Sequence, residues 1–249
     1  MRKVLFTLVL AALGSLGLQA QGTTQRQNAE KPPATTYRWK VEAEAGVCCS
    51  VLDTDVSGLG TTSYMVRPGF TANIAAEYNI VDHLAVGTDI RFLQRDYMYQ
   101  NQGGDSWHTR YNNNFISIPL TVGYYLFHNP YHEKGLWMKP QVGVYYEYLA
   151  SLHTKGIYPM NIMEGASTSG TFLKYNTTYD FKTNENHLRR SLFGGEVGIK
   201  VGYSFGRFDA NVGYLFQYGF THIYQDKART SKTARRNSSV ITAGVAYKL

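Results

Sequence analysis

Apolar and charged residues alternate along the stretch that begins near residue 38. Trp39, Val41 and Ala43 occupy odd positions, whereas Lys40 and Glu42 occupy even ones. A helix would scatter these two sets around its surface, but a strand sends successive side chains to opposite faces. The pattern therefore predicts a strand with one apolar face and one charged face.

The same alternation recurs in eight segments, which are separated by short and long connections in turn. The predicted strands cover residues 38–52, 64–80, 84–96, 112–126, 136–150, 190–204, 207–221 and 237–249. Eight such strands are typical of a sheet closed into a barrel, with lipid outside and polar groups inside. We therefore expect an all-β fold, an eight-stranded antiparallel up-and-down transmembrane β-barrel.

The connections and the aromatic residues indicate how the barrel lies in the membrane. Three connections are short, as periplasmic turns are, and four are long and polar, as external loops are. The long ones lie around residues 53–63, 97–111, 151–189 and 222–236. Outward aromatic residues at both ends of the strands fit two interfacial girdles. A soluble lipocalin-like barrel, the alternative, would instead turn its apolar faces inward around a ligand.

The first twenty residues have the features of a secretory signal peptide. Arg2 and Lys3 precede a short apolar core, and Leu18-Gln19-Ala20 provides a small-residue cleavage site. We expect a signal peptide at 1–20, a flexible periplasmic segment at 21–36 and the barrel domain at 37–249. The chain would then be exported to the outer membrane of a Gram-negative bacterium.

The charge distribution and the two cysteines indicate which classes of partner and cofactor the chain is not expected to bind. The formal net charge of +7 is dispersed along the chain, and no basic stripe with interleaved aromatic residues suggests a nucleic-acid partner. Cys48 and Cys49 are adjacent, so a strand points them to opposite faces and they form neither a disulfide framework nor a metal set. We expect no cofactor and no metal.

Several short motifs resemble one family. Residues 115–125 (FISIPLTVGYY) resemble the aromatic-x-x-Ile-Pro-Leu strand of the PorT-like outer-membrane β-barrel family, and residues 140–145 resemble its next strand. The glycine-rich segments 193–198 and 209–214 are similar to its later hairpin, although the chain ends on Leu249 where Phe is usual. The resemblance implies a small eight-stranded outer-membrane barrel without catalytic residues. It also implies, for a minority of members, a role in protein secretion.

The inward positions carry many charges of both signs. Eight strands leave a lumen just wide enough for side chains, and buried charges must be paired. We therefore predict a lumen filled by ion pairs. The candidates are Glu42, Glu44, Glu77, Asp89, Arg91, Lys139, Glu147, Glu196, Lys200 and Asp209. Arg38, Lys40, Arg95 and Lys248 share the predicted inward parity.

The last long connection concentrates cations that would meet lipopolysaccharide at the outer surface. These residues are Lys227, Arg229, Lys232, Arg235 and Arg236. Phosphate groups attract such side chains, especially arginine. A merely solvated charged loop explains the same residues equally well.

Three classes of function remain open. The first is a non-enzymatic barrel that presents external loops for binding, or anchors an envelope or secretion assembly. The second is a narrow gated channel or transporter, and the third is a lipid-modifying barrel enzyme. For the third, His187 lies near Ser191 without an oriented acid, and His128 and His132 share a turn that could bind a metal. The expected partners are outer-membrane lipid, lipopolysaccharide, and envelope or secretion-system proteins.

Overall fold

The structure is a computed structural model that describes residues 37–54, 62–101, 108–159, 172–183, 188–225 and 234–249. The predicted signal peptide (1–20) and periplasmic segment (21–36) lie outside these residues. Within the described ranges the chain forms twelve strands. They are β1 (Trp39–Thr54), β2 (Thr62–Val66), β3 (Pro68–Val81), β4 (Leu84–Gln94), β5 (Tyr97–Asn101), β6 (His108–Tyr124), β7 (Leu126–Phe127), β8 (Gly135–Pro159), β9 (Phe172–Thr178), β10 (Ser191–Ser204), β11 (Phe208–Gly219) and β12 (Ala234–Lys248).

The strands occupy eight positions in a closed antiparallel ring. β2 with β3, β4 with β5, β6 with β7 and β9 with β10 each share one position, because the members of each pair contact the same neighbouring positions. The ring closes between the first and last strands, from Lys40 opposite Lys248 to Thr54 opposite Ala234. The predicted eight-stranded antiparallel barrel is therefore confirmed.

The two ends of the barrel differ. At the turn end, β1 begins, β12 ends, and the connections from β3 to β4, from β7 to β8 and from β10 to β11 are short. The opposite end carries the long connections, and we refer to it as the loop end. Gly206, in the connection from β10 to β11, has a φ of +115°, a conformation that a residue with a Cβ rarely adopts.

Strands continue at the loop end where the sequence predicted loops. The predicted loops at 97–111 and 151–189 contain β5, the start of β6, the last part of β8 and β9. With β2, they form a five-stranded sheet in the order β2-β5-β6-β8-β9. We name it the extension sheet. It lacks the apolar alternation of the other strands, so the sequence pattern did not reveal it.

The outer face of the barrel is apolar over its middle and aromatic at its ends. Ile74 and Ile90 are 67% and 66% exposed, although both are aliphatic. The rings of Trp39 and Tyr78 lie 4.9 Å apart at the turn end, and Tyr203 and Phe205 form a similar pair there. Such an exposed aliphatic belt is unfavourable in water and favourable in lipid. Among the described residues, none belongs to a helix long and apolar enough to span a membrane.

Candidate functional site in the barrel interior

A cluster around Glu77 fills the lumen at the turn end. The Lys40 Nζ lies 3.1 Å from one carboxylate oxygen of Glu77, and the Lys139 Nζ contacts the other. The hydroxyls of Tyr125 and Tyr131 both donate to Glu77, the second over 2.9 Å. One carboxylate therefore neutralises part of the charge of two ammonium groups that are buried at its sides. We name Lys40, Glu77, Tyr125, Tyr131 and Lys139 the Glu77 cluster.

The turn between β7 and β8 folds into the mouth of the barrel. Tyr131, in the middle of this turn, is fully buried, and its backbone N–H donates to the Asn129 side chain over 3.1 Å. Trp137 also lies in the lumen, over Gly202, where an added Cβ would stand 2.4 Å from the indole Cζ2. Glycine at 202 therefore leaves the space that the indole ring occupies. Aromatic side chains thus close the turn end beneath the ion pairs.

A second ion-pair group follows at mid-height. Lys200 from β10 crosses the lumen to two carboxylates of β1, with Nζ at 2.9 Å from Glu42 and 2.7 Å from Glu44. The Asn211 amide donates to Glu42, and the Asn73 amide donates to Glu44 over 2.9 Å. These contacts tie four positions of the ring together across the interior.

The network continues towards the loop end through an arginine and a glutamine. The Arg91 guanidinium lies 3.2 Å from Glu196 and also contacts Asp89 on its own strand. The Gln217 amide nitrogen donates to Glu196 over 2.9 Å, and its oxygen accepts from Arg95 over 2.6 Å. Gln217 therefore joins this group to the next one.

Arg95 and Glu147 form the last ion pair of the network, at 2.6 Å. A separate pair, Asp209 with Lys248 at 2.7 Å, joins β11 to β12 near the turn end. The structure thus places all ten of the interior candidates in the lumen, each within 4 Å of an oppositely charged group. Arg38 differs from its predicted parity, because it precedes β1 and is exposed beside Tyr78.

The loop cations fall into three groups. Lys227, Arg229 and Lys232 lie outside the described residues. Arg235 is exposed on the outer face, where it donates to the Tyr218 hydroxyl over 3.5 Å. The prediction that Arg236 contacts lipopolysaccharide is wrong. β12 begins at Ala234 rather than 237, so the alternation turns Arg236 inward, and it is only 6% exposed.

The interior at the loop end contains an apolar layer that was not predicted from the sequence. A buried apolar layer lies there, formed by Cys48, Leu52, Leu93, Phe115, Leu149, Leu192, Leu215, Ile223, Ala234 and Val240. Most of these residues belong to the barrel strands, at inward positions of the same alternation that carries the ion pairs. The signal was therefore present in the sequence, as leucines at inward positions near one end of the strands.

The residues considered for catalysis or metal binding are engaged elsewhere. The His128 Nδ1 lies 3.0 Å from the backbone oxygen of Leu136, and the His132 Nε2 lies 3.5 Å from Asp82. The Ser191 hydroxyl pairs with the Tyr146 hydroxyl at 3.0 Å, while His187 is outside the described residues. Among the residues that the structure describes, no three His, Cys, Asp or Glu side chains form a group able to hold a metal ion.

Comparisons with known proteins place the chain in a family. A family model described as outer membrane protein beta-barrel domain matches residues 19–225. Neisserial surface protein A is 18% identical, with a TM-score of 0.42 over 85% of this chain and 97% of its own. OprG of Pseudomonas aeruginosa is 12% identical, with a TM-score of 0.44 over 86% and 97%.

Outer membrane protein W of E. coli is also 12% identical, with a TM-score of 0.44 over 86% of this chain and 98% of its own. No curated protein matches the chain by sequence. The match to the family model covers well over half of the sequence. The chain therefore belongs to the family of outer membrane proteins with a β-barrel domain.

Proposed function

We propose that this protein is a closed, non-enzymatic outer-membrane barrel that binds partners at its external face. In barrels of this kind the short turns face the periplasm and the long loops face outward. The loop end, with the extension sheet, is then the external face. The observation that carries the proposal is the filled lumen, which runs from Tyr131 at the turn end to the apolar layer at the loop end.

The filled lumen argues against the channel alternative. A conducting path would have to separate the Glu77 cluster, the Lys200 pairs and the Arg91 pairs in succession. Breaking one buried ion pair by removing a partner costs roughly 3–5 kcal/mol in proteins. Opening three such groups together would cost about as much as the whole stability of a typical domain, which is about 5–15 kcal/mol.

The extension sheet is the surface that we propose for partner binding. β9 pairs with β8 along one side, and Lys174, Asn176 and Thr177 on it are exposed. The outer strand of a sheet can add a strand from another protein by backbone hydrogen bonds. The resemblance to the PorT-like family supports an envelope or secretion-system protein as the partner, and anchoring of such an assembly as the role.

Photo-crosslinking in intact cells tests this surface. A photo-reactive amino acid at position 174, on β9, should give an adduct with an envelope or secreted protein. The same amino acid at position 82, which is exposed in the turn from β3 to β4, should not. Adducts only from position 82 would instead place the partner on the periplasmic side. Adducts from neither position would contradict the proposal.

We also propose that Arg235 contacts lipopolysaccharide, together with Lys227, Arg229 and Lys232. Arg235 is exposed beside Tyr218 on the outer face, where phosphate groups of the outer leaflet would lie. Arg235→Gln should lower the amount of lipopolysaccharide that purifies with the barrel. An unchanged amount would leave Arg235 as a solvated side chain.

A further inference from the structure

Three cations share the outer face of the extension sheet. Arg110 lies directly opposite Lys155 where β6 pairs with β8. Lys155 in turn pairs with Asn176 of β9, so Lys174, two residues away on that strand, is its diagonal neighbour on the same face. All three basic side chains are exposed. We name Arg110, Lys155 and Lys174 the basic patch.

The extension sheet offers no acidic side chain to offset these charges. The segments that form it, residues 62–66, 97–101, 108–114, 151–159 and 172–178, contain neither aspartate nor glutamate. Arg110 and Lys155 form no ion pair with any residue that the structure describes. Like charges directly opposite each other on a sheet are destabilising. A bound anion would therefore stabilise this pair of strands.

The basic patch continues the lipid-facing side of the barrel. Along β6, Arg110 has the same parity as Ile116 and Ile118, which are 43% and 48% exposed on that side. Arg110 precedes Ile116 by six residues, which is about 20 Å along a strand. With strands tilted by about 40°, the patch stands roughly 15 Å beyond the last apolar position of β6.

That height selects one part of the outer leaflet. The phosphates of lipid A lie at the boundary of the hydrocarbon, and the phosphorylated sugars of the lipopolysaccharide core lie beyond them. An arginine fork binds two phosphate oxygens at once, and a lysine binds phosphate as a point charge. We propose that the basic patch binds the phosphorylated core saccharide of lipopolysaccharide.

Polar side chains beside the cations suit the sugar part of this ligand. The His153 Nε2 donates to the Asn176 side-chain oxygen over 2.5 Å, so the amide nitrogen of Asn176 remains a donor on this face. Gln100 pairs with His108 and lies on the same face as Arg110. Amides of this kind exchange hydrogen bonds with hydroxyl groups, whereas acyl chains offer them no partner.

The inference rests on the proposed orientation, in which the loop end is external, but it concerns a separate surface. Arg235, proposed above to contact lipopolysaccharide, lies on β12 beside the aromatic Tyr218, at the edge of the lipid-facing side. The protein partner is proposed for the outer strand, β9. The test below therefore changes only Arg110 and Lys155 and leaves position 174 for crosslinking. A lack of crosslinks would not alter its result.

Native mass spectrometry of the full-length chain in detergent tests the proposal. The chain is titrated with purified lipopolysaccharide that has a phosphorylated core, and separately with lipid A, which has phosphates but no core. A cation near an anionic surface contributes about fivefold to binding. The double variant Arg110→Gln, Lys155→Gln should therefore bind the complete lipopolysaccharide about tenfold or more weakly. Its affinity for lipid A should be unchanged.

Two further variants serve as controls. Arg38→Gln with Lys134→Gln also removes one arginine and one lysine, both exposed at the turn end, and should leave both affinities unchanged. Arg110→Lys with Lys155→Arg keeps both charges and should retain most of the binding. Heat-modifiable mobility on gels verifies that each variant is folded.

Three results would overturn the proposal. The first is wild-type affinity of the folded double variant for the complete lipopolysaccharide. The second is equal weakening by the turn-end control, which would indicate attraction to net charge alone. The third is equal weakening of lipid A binding, which would assign the contact to the lipid A phosphates instead of the core. Arg235→Gln tests its own site separately, so an unchanged result there would leave the basic patch unaffected.

Discussion

Glu77→Gln removes the only acidic side chain of the Glu77 cluster while keeping its shape. Glu77 faces Lys40 and Lys139, whose side chains are 0% and 4% exposed. At an effective dielectric constant of about 20, a pair 3.1 Å apart attracts by about 5 kcal/mol before desolvation is subtracted. Removing one partner of a buried pair costs roughly 3–5 kcal/mol. Because two ammonium groups lose their counter-ion, we expect the upper half of that range.

The assay is urea unfolding of the barrel in lipid vesicles, followed by tryptophan fluorescence. Trp137 lies in the lumen, with its ring centre 5.1 Å from the Lys40 Nζ, and it contributes to the measured emission together with Trp39 and Trp107. The double variant Glu77→Gln, Lys139→Met should recover part of the loss, since only one unpaired ammonium group then remains. Such partial recovery is the coupling that a double-mutant cycle measures.

A matched control separates this effect from a general loss of negative charge. Asp82→Asn also removes one carboxylate near the turn end, but the Asp82 side chain is 84% exposed. We expect a change within about 0.5 kcal/mol for this variant. A cost of less than about 1 kcal/mol for Glu77→Gln, or a cost no larger than that of Asp82→Asn, would contradict a stabilising ion-pair role for Glu77.

Three further predictions concern the lipid face, closure and export. Val142 is 60% exposed on the lipid-facing side of β8, and its change to Arg should cost about 2–4 kcal/mol in the same unfolding assay. Its change to Leu should cost no more than about 0.5 kcal/mol, and equal costs would contradict a lipid-facing position. Removal of residues 247–249 deletes pairings that close β12 onto β1, so insertion into the membrane should fail. Heat-modifiable mobility on gels equal to that of the full chain would contradict this prediction. The mature protein should begin at Gln21, and N-terminal sequencing that gives Met1 would contradict the predicted cleavage.

The alternation of side chains predicted the barrel because lipid imposes it. Ile74 and Asn73 are neighbours on β3, yet the first is 67% exposed and the second 5%. A lipid-facing strand must be apolar at every second residue, and a narrow lumen accepts charges only as partners. These two requirements act on each strand separately. Their effect on the sequence can therefore be recognised in one strand without knowing which strands pair with it.

The extension sheet escaped prediction because neither requirement applies beyond the membrane. On β9, Leu173 and Tyr175 alternate with Lys174 and Asn176, but Thr177 and Thr178 are both polar and exposed, so the alternation is too short to mark a strand. Its pairing with β8 brings residues such as Lys174 and Ile157 opposite each other across a long connection. Such long-range pairing leaves little trace in local sequence.

The aromatic residues that fill the turn end and the apolar layer at the loop end were not predicted from the sequence, for different reasons. Tyr131 enters the lumen only because its turn folds back under β1 and β3, which no local pattern indicates. Leu93 and Phe115 lie at inward positions that the alternation indicates. They were not predicted as interior residues because a lumen filled by ion pairs was expected. Arg236 was misplaced because β12 begins three residues earlier than the predicted strand.

The closed lumen is tested most directly by single-channel recording of the refolded protein in planar lipid bilayers, with heat-modifiable mobility used to verify that the inserted protein is folded. Because the ion pairs from Lys40–Glu77 to Arg95–Glu147 and the Tyr131 turn fill the interior, we expect no steady openings at any applied voltage. Regular unitary currents from the folded wild-type protein would contradict the closed barrel.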